Sequence, residues 1–115
     1  GQMRVLGLDV ESISRKEARG NVARNGLTGA VIIADLELGR LRKEYDLVFA
    51  NLRLPSLMSL SSDVGRLARK TCGVILSGMK REELAVVRNR YVQIGFRFVR
   101  EETENGWGCV TAIRL

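Results

Sequence analysis

The chain has 115 residues, 45% hydrophobic and 28% charged, which is the size of one domain and predicts a buried core under a charged, soluble surface. It contains no histidine, which excludes Ser-His-Asp and Cys-His nucleophilic sites and the usual histidine-ligated zinc site. Net charge is +6, but the basic residues are scattered in small groups with only two Tyr, three Phe and one Trp beside them, so solvated faces are expected and direct nucleic-acid binding is not.

In chain order, MRVLGLDV (Met3 to Val10) is a short apolar run suited to a strand covered on both faces. Ser14 and Glu17 then have the spacing of a capping box, and a helix follows with Ala18, Val22 and Ala23 inward and Asn25-Gly26 as its stop. AVIIADL (Ala30 to Leu36) is the second strand. A charged stretch from Glu37 to Glu44 leads to YDLVFANL (Tyr45 to Leu52), an apolar third strand that switches abruptly to an amide at Asn51. Leu57, Leu60, Val64 and Leu67 recur three and four apart and predict one helix, with Pro55 in or before its first turn. CGVILSGM (Cys72 to Met79) is a fourth strand, and the next helix has Leu84, Val87, Tyr91 and Ile94 as its inner stripe and ends at Gly95. Asn105-Gly106, between FRFVREE and WGCVTAIRL, is a strong hairpin signal. Cys72 and Cys109 lie in apolar segments without the paired spacing of a metal site and are read as small buried residues. No stretch is long and apolar enough to cross a bilayer, and no charged leader with a long apolar core opens the chain, so a cytoplasmic location is expected.

This order predicts a single α/β domain over residues 1–115, a mostly parallel sheet with a C-terminal antiparallel hairpin. In such sheets ligands bind beyond the carboxyl ends of the strands, where loops diverge and helix N-termini converge. Asp9, Asp35 and Asn51 fall there. A carboxylate at the first position can accept from two ribose hydroxyls, an acid at the next can accept from an adenine amino group, and Asn51 can both donate and accept. Each acid alone also fits a helix cap or turn former. Three such residues on one edge favour a nucleoside site, which spacing alone leaves open between NAD and S-adenosylmethionine.

LGLDVES…ARGNVARNGL, YDLVFANLRLPSLMSL and GVILSGMKREELAVVRNRYVQIGFRFV, in that order, resemble the C-terminal catalytic domain of the methyltransferases that modify the stalk-base protein, L-eleven, of the large ribosomal subunit. ANL in place of an NPP tripeptide argues against the glutamine and adenine N-methylating relatives. The resemblance implies a Rossmann-like class I methyltransferase sheet, S-adenosylmethionine as cofactor, a ribosomal protein as substrate, and methyl transfer from the sulfonium to a neutral amine. It also implies that Asp9 holds the cofactor ribose, that Asp35 and Leu36 stand where adenine is read, and that Asn51 lines both the cofactor site and the catalytic pocket.

Two parts of the family pattern have no counterpart here: the first strand with its Gly-rich loop, and an upstream substrate-recognition domain. With Gly1-Gln2 at the start, the chain is read as a fragment. The resemblance places the missing strand between the strands ending at Asp9 and Asn51, so its loss should leave two apolar edges that close on each other or exchange strands with another copy to form a homo-oligomer. Three other readings compete with an active methyltransferase. One is a non-catalytic remnant or scaffold that cannot hold cofactor alone; another is an NAD-dependent oxidoreductase, which the ILSG segment and the hairpin disfavour; the third is an RNA-binding module driven by net charge, which predicts steeply salt-dependent binding.

Overall fold

A computed structural model describes residues 4–9, 31–34 and 44–115, together with Lys16, Gly20 and Arg24; for Asp9 and residues 31–34 it describes the backbone. The described strands are β1 (Val5–Asp9), β2 (Val31–Ala34), β3 (Tyr45–Asn51), the longer β4 (Ala68–Lys80), β5 (Phe96–Glu104) and β6 (Trp107–Arg114). Apolar stretches with β-branched and aromatic residues form the inner strands because their side chains are buried on a pleated surface, and the charged outer strand β5 is held by pairing along β6. One sheet contains all six in the order β2-β1-β3-β4-β6-β5. The pairs β1–β2, β1–β3 and β3–β4 are parallel, while β6 runs antiparallel to both β4 and β5. This is the expected class of fold.

The resemblance places a further strand between β1 and β3, but the two pair directly, from Val5↔Leu47 to Asp9↔Asn51. Of the two outcomes anticipated, the edges therefore close on each other. The N–H and C=O groups along this seam find their partners within the chain, and strand exchange is not needed to satisfy them.

The helix expected between β1 and β2 lies outside the described residues except for Lys16, Gly20 and Arg24, all three helical and four residues apart. The segment expected to form one helix after β3 is instead two, α1 (Leu54–Ser59) and α2 (Ser61–Leu67), separated at Leu60. Serines at the break bond to nearby backbone and compete with the helical ladder: the Ser59 hydroxyl donates to the Ser56 carbonyl at 3.3 Å and Ser61 to the Met58 carbonyl at 2.8 Å. Pro55 occupies the first turn, where its missing N–H costs nothing. The stripe survives the break, since Leu57, Leu60, Val64 and Leu67 are all buried.

A short 3₁₀ turn, Arg81–Glu83, leads into α3 (Leu84–Gln93), and Gly95 at φ +104° ends that helix. Asn105 and Gly106, at φ 52° and 82°, form the two-residue turn that joins β5 to β6.

The helices α1, α2 and α3 pack on one face of the sheet. Leu6, Leu8, Val48, Ala50, Val74, Leu76, Val110 and Ala112 form a single core with the helix stripes and Phe96. The Tyr91 hydroxyl on α3 donates to the Leu57 carbonyl on α1 at 2.9 Å, and its ring meets Phe96 at a centroid distance of 5.6 Å. On the other face Phe49 is 42% exposed, with Leu47 and Ile75 half-buried beside it. Cys72 is buried and Cys109 half-buried, both as free thiols. Burial pushes the Cys72 thiol up from 9.0 to about 11, away from the reactive thiolate form.

Candidate functional site

Asp9 and Asn51 are register partners at the last positions of adjacent parallel strands, so both stand on the carboxyl edge of the sheet. The structure thus brings these two sequence candidates together at the level of the backbone. β2 ends at Ala34, next to Leu8 of β1. Asp35 and Leu36 follow it and lie outside the described residues.

Strand alternation allows position 51 to be polar. Ala50 and Leu52 are buried at 1% and 2% exposure, and the residue between them points the opposite way, out of the core and into solvent. Ser77 of β4 is the register partner of Asn51, and its hydroxyl donates to Asn51 Oδ1 at 3.3 Å. The ladder continues one residue further, with the Leu52 N–H donating to the Ser77 carbonyl at 2.9 Å.

Gly78 then holds φ +93°, a conformation that side chains rarely adopt. A Cβ there would stand 2.6 Å from the Leu52 carbonyl oxygen and 2.9 Å from both Asn51 Oδ1 and Leu52 N. The β4 backbone can approach the Asn51-Leu52 segment this closely because Gly78 carries no side chain into the contact.

The same edge carries the only tryptophan of the chain. Trp107 is the first residue of β6, is 44% exposed, and lies across from Lys80 on β4 and Glu104 on β5. The Arg53 guanidinium, two residues beyond Asn51, sits over the indole at 5.5 Å from its centroid, within cation–π range. One contact ties the hairpin to the turn before α3, and a second caps that turn. The Arg81 N–H donates to the Gly106 carbonyl at 2.9 Å, and the Lys80 N–H to Glu83 Oε1 at 2.7 Å. Among the described residues, Cys72 and Tyr91 are raised by burial in the core, and Glu101 is lowered by its hydrogen bonds from Arg88.

Sequence reading missed Ser77, Gly78, Arg53 and Trp107. For Gly78 a signal existed, because a glycine inside the apolar run ILSGM marks a bulge or a close backbone approach. Arg53, Ser77 and Trp107 had none, since it is the pairing of β3, β4 and β6 that brings them to one edge.

The mostly parallel sheet with its antiparallel C-terminal pair matches a class I methyltransferase sheet in which the strand between β1 and β3 is left out. Among solved structures, the chain is similar to a ribosomal protein L11 methylase from Lactobacillus delbrueckii subsp. bulgaricus, with a TM-score of 0.77 at 18% identity, covering 99% of this chain and 70% of that one. It is also similar to an O-methyltransferase from Bacillus cereus in complex with SAH, with a TM-score of 0.64 at 16% identity, covering 97% and 63%. In sequence it is 29% identical to the ribosomal protein L11 methyltransferase of Desulfosudis oleivorans over 99% of this chain, and 29% identical to that of Desulforamulus reducens over 93%. The chain spans 39% and 35% of the length of those two relatives. A family model, ribosomal protein L11 methyltransferase (PrmA), matches residues 1–114, and the chain belongs to that family.

Proposed function

We propose that the chain supplies the carboxyl-edge half of an S-adenosylmethionine site in a cytoplasmic N-methyltransferase whose substrate is a ribosomal protein. The observation that supports this reading most directly is the pairing of Asp9 with Asn51 on one edge of a methyltransferase sheet. In this reading the Asp9 carboxylate accepts from the cofactor ribose, Asp35 and Leu36 border the adenine, and the Asn51 amide contacts the reacting end. The bound cofactor supplies an activated methyl group.

The protein's part is to hold the acceptor amine in line with that methyl and to exclude water. Orientation of this kind lowers barriers by up to roughly 7–11 kcal/mol in the best intramolecular cases. An amine acceptor must be neutral to attack, so turnover should rise with pH through the acceptor's own pKa.

The test is binding of S-adenosylhomocysteine by calorimetry to the native polypeptide that carries residues 1–115, and to its Asp9→Ala and Asn51→Ala variants. Loss of a hydrogen bond to a charged carboxylate should weaken binding of the Asp9→Ala protein by about 1.5–3 kcal/mol with little change in folding stability. An Asp9→Ala protein that binds normally but unfolds early would assign Asp9 to capping instead.

One observation favours a second reading for the 115 residues alone. Direct pairing of β1 with β3 occupies the seam where the family resemblance places another strand and its glycine loop. In that reading the isolated chain is a stable framework that does not retain cofactor. The same calorimetry on the 115-residue chain decides: no heat with S-adenosylhomocysteine supports the framework, and saturable binding overturns it.

A further inference from the structure

The chain departs from regular β-pairing just beyond Ser77, and the departure is directed at Asn51. β4 and β6 pair as far as Ser77↔Cys109 and resume at Met79↔Gly108, which leaves Gly78 without a partner on β6. A one-residue bulge of this kind bends its strand and re-aims neighbouring groups. Here it brings the Gly78 backbone against the Asn51-Leu52 segment, where a Cβ at position 78 would meet Leu52 O, Leu52 N and Asn51 Oδ1 at 2.6–2.9 Å. The Ser77 hydroxyl completes the arrangement by donating to Asn51 Oδ1 at 3.3 Å.

An asparagine amide has one acceptor oxygen with two lone pairs and one nitrogen with two donor hydrogens, and an exposed amide can turn over by half a revolution. A serine hydroxyl can donate to the oxygen or accept from the nitrogen, so Ser77 tethers the amide to β4 in either sense. We infer that Ser77 is a positioning residue for Asn51: together with the Gly78 bulge it holds the amide near the end of β4. With Oδ1 turned toward β4, both Nδ2 hydrogens and the second Oδ1 lone pair remain for a ligand beyond the sheet edge. Ser77 itself touches no ligand in this scheme. The inference rests on the reading of Asn51 as a ligand-contacting residue.

A double-mutant cycle tests it in the native polypeptide that carries residues 1–115. Binding of S-adenosylhomocysteine and kcat/KM for methyl transfer to ribosomal protein L11 are measured for wild type, Asn51→Ala, Ser77→Ala, Ser77→Thr and the double alanine variant, with urea midpoints alongside. Loss of one neutral hydrogen bond predicts that Ser77→Ala lowers whichever parameter Asn51→Ala lowers by about 2- to 12-fold. Ser77→Thr, which keeps the hydroxyl, restores most of the loss, and Ser77→Ala has no further effect once Asn51 is alanine. A Ser77→Ala penalty of the same size in both backgrounds shows a general structural role and overturns the proposal. So does an unaffected Ser77→Ala protein beside an impaired Asn51→Ala protein. An Asn51→Ala protein indistinguishable from wild type in both measurements overturns the site reading itself, and the role of Ser77 with it.

Discussion

At the scale of single residues, the carboxyl edge depends on one glycine more than its neighbours in sequence suggest. Gly78 and Gly106 both have positive φ, at 93° and 82°, but an added Cβ at Gly106 meets nothing within 4 Å. Gly106→Ala therefore carries the conformational cost alone, about 1–2 kcal/mol, and Gly78→Ala carries that cost plus a clash with Leu52 backbone that no rotamer relieves. The expected outcome in urea unfolding is a Gly78→Ala loss at least about 1 kcal/mol larger than the Gly106→Ala loss. Equal losses would mean that β3 and β4 separate easily at this edge. Position 51 illustrates what is legible in a single residue. Its polarity in an apolar run was visible as an anomaly, but its partner Ser77 is 26 residues away and unmarked by any local pattern.

At the scale of elements, most boundaries follow from local chemistry, and the exceptions come from contacts between elements. The single predicted helix after β3 is broken at Leu60, and the break is secured from outside. Arg90 of α3 donates from Nε to the Ser61 hydroxyl at 2.8 Å and from its terminal nitrogen to Ser62 at 3.0 Å. A second tie joins α3 to the edge strand β5. Arg88 donates to both Glu101 oxygens at 2.6 and 2.7 Å, and this pair holds the Glu101 carboxyl below its ordinary 4.5. A lowered folded-state pKa contributes stability above the unfolded value and loses it as pH falls through the folded one. The pair is partly exposed, with side chains 43% and 29% accessible, so solvent screening limits it to about 0.5–1 kcal/mol. Arg88→Met should be less stable than wild type by that amount at pH 7. The difference should shrink with added salt and disappear as pH falls below 4.5 and on through the folded-state pKa of Glu101; a gap that persists in acid would assign the effect to the arginine stem packing instead. Charges along β5, including the Arg100–Glu102 pair at 2.8 Å, also protect the outer edge of the sheet from pairing with another chain.

At the scale of the whole molecule, the two faces of the sheet differ, and the difference can be measured. Leu76 is 0% exposed beneath the helices, whereas its neighbour Ile75 and the Ile75 partner Phe49 lie on the more open face. Leu76→Ala should cost about 2–5 kcal/mol through lost transfer energy and a residual cavity. Phe49→Ala should cost only about 1 kcal/mol, because much of the ring is already in water. Equal losses in chemical denaturation would show that both faces are covered in solution. The order β2-β1-β3-β4-β6-β5 also sets the placement of the candidate site, because it lines up the ends of β1, β3 and β4 and the start of β6 on one edge.

Among the described residues, what the sequence determined unaided was the strands in their order, the inward stripes after β3 and β4, the turn at Asn105-Gly106 and the polar ends of β1 and β3, because each depends on side-chain period or on backbone conformations that few residues allow. The class of fold followed from those elements. The tertiary structure alone decided that β1 closes directly on β3, that one predicted helix becomes two, and that Ser77, Gly78, Arg53 and Trp107 gather beside Asn51. The physical reason is that register and bulges arise from the balance of pairing between strands far apart in sequence, and no local window of residues contains that balance.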